Sequence, residues 1–183
     1  MSRPISLNAL RQVDALASDD VDVFLVILDH PDLVDGPLRI SSDLAVRLSA
    51  EPLTYGTLSR FGNDDLPAGP EKVTPKRFYY TGMLVIPPDD EEDTEPTSRL
   101  VLDVLDSDIV GVLTSTTVPA KARIAVVKAS TPDLVELETS GLQLKNTSGD
   151  WGQIVLQFSM EDLYDEPFPA VRMTKERFPG LHR

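Results

Sequence analysis

Carboxylates are the residues of this chain whose spacing first suggests chemistry. Asp89-Asp90-Glu91-Glu92-Asp93, with Glu95 two residues on, has the density of oxygen ligands that a hard cation such as calcium takes. The run lacks the alternating Asp/Asn ligands and the glycine of an EF-hand loop, so it reads as a self-repelling, solvated tip of a loop over 87–98. Asp103, Asp106 and Asp108 have the types for paired acid and base work or for a metal. A strand end followed by a helix cap and a first-turn carboxylate, favoured by the helix dipole, explains the same three residues more simply.

The chain has two histidines, His30 before a proline and His182 near the last residue, and no cysteine. That excludes thiolate nucleophiles, disulfides, iron–sulfur clusters and cysteine zinc sites, and two histidines so placed argue against a histidine metal centre or a Ser-His-Asp triad. Neither a Gly-x-Ser-x-Gly elbow nor a phosphate-binding glycine loop occurs. Trp151 beside Gly149 has the ring for a sugar platform, although a hairpin aromatic packing over its own sheet is the commoner arrangement. No catalytic, cofactor-binding or metal-ligating set is expected, and the protein is expected not to be an enzyme. A net charge of −13 over 183 residues opposes tight binding to a phosphate backbone. No leader and no apolar run of membrane-spanning length is visible, so a protein made and folded in a cytoplasm, with no membrane span, is expected.

The elements that would position these residues are mostly strands. Ser6 to Ala17 carries Leu7, Leu10, Val13 and Leu16 at helical spacing, with Ser6 as cap, which predicts a short N-terminal helix within 1–20. Val21 to Leu28 is an apolar run buried on both faces, and Leu38–Ser41 with Ala45–Ala50 predicts a hairpin. Thr54 to Thr74, rich in Gly, Pro, Asn and Asp around Leu58 and Phe61, predicts a long loop, and those two apolar residues are the candidates for contact with a neighbour. Arg77 to Ile86 and Arg99 to Leu105 read as strands. A short internal helix from Asp106, with Ile109, Val110 and Leu113 as its packing face, comes next. Three further strands follow: Ala122–Lys128, Leu134–Lys145 with a break at Ser140-Gly141, and Gln153–Phe158, the last two joined by a turn over Asn146–Asp150. The expectation is a mainly β fold, a sandwich or barrel, over 21–160.

Residues 161–183 differ from everything before them. Pro167, Pro169 and Pro179 remove backbone donors and fix φ, so the segment predicts an extended arm instead of a helix or a central strand. Phe168, Val171, Met173, Phe178 and Leu181 would each gain about 1.5 to 3 kcal/mol from full burial. They call for a cover, from this domain or from a neighbouring copy.

Phe24 to Leu33, Arg99 to Asp103 with Leu105-Asp106 and Ile109-Val110, and above all Glu161-Asp162-Leu163, Glu166-Pro167-Phe168-Pro169, Arg172, Thr174 and Phe178-Pro179-Gly180-Leu181 resemble a family of phage tail proteins of formally unknown function. That family is similar to the minor tail or hub proteins at the distal end of lambda-like siphophage tails and gene transfer agents. The resemblance implies a virion structural protein on a β-sandwich or split-barrel fold related to the tail tube. It also implies a homotrimer, or a homohexamer as second choice, that joins the tail tube to tape-measure and tip-attachment proteins in the virion after assembly in a bacterial host cytoplasm. DNA would pass through without tight binding, the acidic surface repelling its phosphates. The arm residues just named would form the subunit interface. Related hubs carry a cysteine-bound iron–sulfur cluster; this chain has no cysteine to hold one. Val104 replaces a residue that is usually polar, and 54–74 and 89–95 look like insertions. Two other classes fit the composition: a carbohydrate-binding β-sandwich at the host surface, and a tail-associated hydrolase.

Overall fold

The computed structural model describes residues 6–15, 20–33, 35–62, 74–87, 97–103, 118–150 and 152–160, together with residues 111 and 177. Its centre is β1 (Asp22–Asp29), whose six consecutive apolar residues give it two faces that both need burial. Phe24, Val26 and Leu28 point into one core with Ile40, Val85, Leu100, Ile124, Leu156 and Phe158. Val23, Leu25 and Ile27 point the other way, into a second core with Phe61, Phe78, Ala125 and Val127. The period-2 alternation of a strand thus feeds two layers at once.

The remaining strands are β2 (Leu38–Ser41), β3 (Val46–Ala50), β4 (Leu53–Ser59), β5 (Lys76–Tyr80), β6 (Met83–Ile86), β7 (Thr97–Asp103), β8 (Lys121–Lys128), β9 (Thr131–Asp150) and β10 (Gln153–Met160). They form one sheet in the order β3-β4-β5-β2-β1-β8-β9-β10-β7-β6, so the fold is mainly β as expected. Every pair is antiparallel except β2 with β5. The first core draws on β2 at one side and on β6 at the far end of that order, so the sheet curls round it. The Thr81-Gly82 corner between β5 and β6 closes the curl. There the Thr81 N–H donates to the Ser41 carbonyl (3.1 Å) and the Asp103 N–H to the Gly82 carbonyl (2.7 Å). The result is a split barrel.

β3, β4 and β5 run past the barrel as a flap and fold over the second core. Phe61 stacks on Phe78 with ring centroids 6.2 Å apart, and the Arg123 guanidinium lies 5.3 Å from the centre of the Phe61 ring. The Ser59 hydroxyl donates to the Pro132 carbonyl (2.6 Å), and the Arg60 N–H donates to the Asp133 carboxylate (2.9 Å). At the other edge of β1, Lys128 is almost wholly buried with its Nζ 2.5 Å from Asp22, its direct partner across the ladder. A bulge at Gly141 (φ +77°) interrupts β9 where Ala122 pairs with Leu142 and Ile124 with Thr139.

Several expectations are corrected. Thr54 to Ser59 is not loop but β4, because Thr57 and Ser59 alternate inward and both backbone edges are paired. Phe61 is 5% exposed and belongs to the second core, so it is not a residue for contacting a neighbour. Leu38–Ser41 and Ala45–Ala50 do not pair as a hairpin; β2 lies between β1 and β5, and β3 pairs with β4. Arg77 to Ile86 is two strands that turn at Thr81-Gly82. Asn146–Asp150 is the end of β9, its polar residues tolerated on a ribbon with an exposed side, and Asp150 pairs with Gln153 across a two-residue connection. The helix α1 is Leu7–Asp14, shorter than expected, with the Ser6 hydroxyl accepting from the Ala9 N–H (3.1 Å). The acidic run 89–95, the internal helix from Asp106 and the arm lie outside the described residues, and Thr97-Ser98 of the expected 87–98 loop already belong to β7.

Gly56 tests how the flap is made. Its Cα lies so close to β5 that an added Cβ would run into the Phe78 carbonyl group, and Leu48 covers the other side. Gly56→Ala should destabilise the protein by about 1–3 kcal/mol in denaturant unfolding, whereas Gly152→Ala, with open space around it, should stay within about 0.5 kcal/mol of wild type.

Candidate functional site

The two candidate chemical residues that the structure describes, His30 and Asp103, are held by the fold itself. His30 is buried at the exit of β1, and its Nδ1 accepts from the Asp32 N–H (3.1 Å) while its Nε2 lies 2.9 Å from the Val118 carbonyl. Two such partners define the neutral tautomer with the proton on Nε2, donating to Val118. The exposed Asp32 carboxylate stands 3.9 Å from Nδ1, too far to replace that arrangement. Asp103 accepts from the Gln153 side-chain amide (2.9 Å) and packs against Gly82, so it braces the closing corner; Asp106 and Asp108 lie outside the described residues. Among the described residues no cluster of three or more His, Cys, Asp or Glu side chains is arranged to hold a metal ion, and no helix is long and apolar enough to cross a membrane.

What the surface offers instead is places to bind. The first is a groove of about 680 Å³ at the seam between β2 and β5. These strands pair only through Ile40 with Tyr79 and Ser41 with Tyr80, locked by the buried Ser41 and Thr57 hydroxyls 2.8 Å apart. Above that point the strands splay, and Arg39, Lys76 and Arg77 line the gap together with Asp35, Leu38, Pro37 and Tyr79. None of the three cations pairs with a carboxylate among the described residues, and the Nε of Arg39 is buried without a partner. Leu58, one of the two expected contact residues, lies directly opposite Arg77 and therefore on the same face as that wall of the groove.

The second place is α1. Ser6 donates through its N–H and its hydroxyl to the Glu136 carboxylate, and the Gln12 amide donates to the Asp20 carbonyl (2.6 Å), so polar contacts pin the helix to the domain. Its apolar side points away: Leu7 is 73% and Val13 81% exposed, with Leu10 beside them. The third is the outer row of β6, where Leu84 (59% exposed) and Ile86 stand on a sheet edge. The arm residues Glu161, Asp162, Leu163, Glu166, Pro167, Phe168, Pro169, Arg172, Phe178, Pro179 and Leu181 all lie outside the described residues.

Sequence reasoning missed the groove, because its walls are joined by a parallel pairing of strands far apart in the chain. The available signal was Lys76-Arg77 opening a strand in a strongly acidic protein. No protein-family model matches the chain. No curated protein matches it either.

One carboxylate carries a pH consequence. Asp20 accepts from the Ser130 hydroxyl (2.7 Å) and N–H (3.1 Å), tying the lead into β1 to the β8–β9 turn, and the hydroxyl bond foremost holds its carboxyl below the usual carboxylate range. A depressed value in the folded state stabilises the protein above the ordinary carboxylate value, and this contribution fades as the pH falls through the folded value. The stability gap between wild type and Asp20→Asn should therefore narrow in denaturant titrations as pH drops below about 4. His30→Ala should cost about 1–3 kcal/mol, by leaving the Val118 carbonyl and Asp32 N–H unpaired, without changing association in sedimentation runs.

Proposed function

We propose that the protein is an architectural subunit of the distal phage tail, a ring component that joins the tail tube to tip proteins, with its domains arranged about the tail axis. The observation that carries this reading is α1, whose apolar side is turned away from both cores formed by the described residues. Leaving Leu7, Leu10 and Val13 in water forfeits burial energy that a second copy supplies on contact. A head-to-tail contact that closes makes a ring, and three-fold is the first choice, six-fold the second. The resemblance of Glu161–Leu163, Glu166–Pro169 and Phe178–Leu181 to phage tail proteins gives the ring its place, and the −13 charge suits a part that DNA passes without adhering.

A sugar-binding role asks for aromatics together on one face. Tyr55 and Tyr80 share the face of Thr57 and Phe78, whereas Tyr79 lies on the opposite one, so the exposed tyrosines divide.

Leu7→Asp with Val13→Asp should convert the assembled protein to monomer in sedimentation velocity. Its thermal midpoint should stay within a few degrees, because both side chains are free of their own domain. Electron microscopy of the wild-type chain should show closed rings, and a wild-type protein that stays monomeric at high concentration removes the proposal.

A further inference from the structure

We propose that the groove between β2 and β5 is the receptor for the acidic start of the C-terminal arm, Glu161–Glu166, of a second copy, which enters as an added strand. This deepens the assembly reading and rests on it.

The groove is a seam left open. β2 and β5 are hydrogen-bonded to each other only at Ile40–Tyr79 and Ser41–Tyr80, while β1 and β4 occupy their outer edges. Where they part, each presents a strand edge toward the gap, the setting in which an extended segment adds main-chain hydrogen bonds. Arg39, Lys76 and Arg77 outnumber the single carboxylate of the lining, Asp35, and leave it cationic in a chain of net charge −13. That lining selects an acidic partner, and it must be an extended one.

Glu161-Asp162-Leu163-Tyr164-Asp165-Glu166 meets both demands. As a strand it places Glu161, Leu163 and Asp165 on one side and Asp162, Tyr164 and Glu166 on the other, an acid-apolar-acid pattern on each. The groove offers apolar and cationic groups on one side and cations on the other. Leu38 follows Ile40 on the barrel face with Arg77 and Tyr79, while Arg39 and Lys76 lie on the opposite face. No proline falls within the six residues, so each keeps its donor, and Pro167 ends the pairing. The other acidic run, Asp89 to Glu95, has no apolar residue to meet Leu38 or Tyr79.

The arm of the same chain is poorly placed. It starts at Met160, and β10 is separated from β2 by β9, β8 and β1 one way round the barrel and from the β5–β6 corner by β7 and β6 the other way, about 14 to 19 Å at about 4.8 Å per strand. Glu161 and Asp162 extend at most about 7 Å from that point. The first core fills the direct route, so these two carboxylates reach the groove of a neighbour and not their own.

The absence of native cysteine makes the test clean. Full-length Tyr79→Cys and full-length Tyr164→Cys, mixed in equal amounts and oxidised, should give a disulfide-linked heterodimer. Lys76→Glu with Arg77→Glu should weaken association by about tenfold or more, as should Asp165→Lys with Glu166→Lys, and mixing these two proteins should restore it. Rising salt should weaken the wild-type contact. Thermal unfolding of each variant checks that the domain is intact. Wild-type rings that form without the cross-link and ignore the charge reversals overturn this proposal and leave the assembly reading standing. A disulfide that closes only within a chain carrying both cysteines overturns the second copy as donor. A wild-type protein that never associates overturns both.

Discussion

Both sides of β1 are apolar, and that constraint organises the molecule. A strand with one wet face is satisfied by a single layer, but burial of Val23, Leu25 and Ile27 as well as Phe24, Val26 and Leu28 calls for material on each side. The chain meets this with one continuous sheet used twice. Its long part curls into the split barrel around the first set, and its other end, β3 to β5, doubles back to roof the second. Phe61 and Phe78 are the roof's inner surface, and Arg123 extends over Phe61 from below. With Asp22 satisfying the nearly buried Lys128, the β1–β8 ladder forms a rigid frame between the two layers.

Much of that frame was legible in the amino-acid order. The apolar run of β1, the strands β8 and β10, the cap at Ser6 and the break at Ser140-Gly141 announce themselves through local pattern, and each matches an observed element or bulge. The flap was hidden for a physical reason. β4 is built from Leu, Thr, Tyr, Gly, Thr, Leu and Ser, and its glycine and hydroxyls look like loop chemistry. Gly56 is there because two strands approach closely, and the hydroxyls are inward because Thr57 bonds Ser41 and Ser59 bonds Pro132. Phe61 looked like a stray aromatic in a polar stretch because the surface it fills comes from β1, β5 and β8. The same holds for the groove, whose cations arrive from 37 residues apart along the chain. Pairing between distant strands is invisible to periodicity.

The surfaces follow from the same economy of layers. Two cores use up the sheet's inner faces, which leaves α1, the β6 edge and the splayed β2–β5 seam looking outward. Each has a different character: greasy helix, apolar strand edge, cationic cleft. In an assembly subunit such diversity keeps contacts from being mistaken for one another, because an apolar helix face and a charged cleft favour different partners. Among the described residues, the candidates for chemistry are in contrast absorbed into structure. His30 and Asp103 each hold a junction of the fold together through defined hydrogen bonds.

The β2–β5 seam also sets how the molecule carries mechanical load. β1 and β8 are zipped along their whole length from Asp22–Lys128 to Asp29–Lys121, whereas the flap is tethered to the barrel side of the sheet by Ile40–Tyr79 and Ser41–Tyr80. Tension applied across that seam falls on this short stitch and on the Ser41–Thr57 hydroxyl pair beside it. The frame would outlast the stitch. The flap has a second hold at its far end, where Ser59 and Arg60 bond Pro132 and Asp133, so parting the two layers means breaking both attachments and opening the second core.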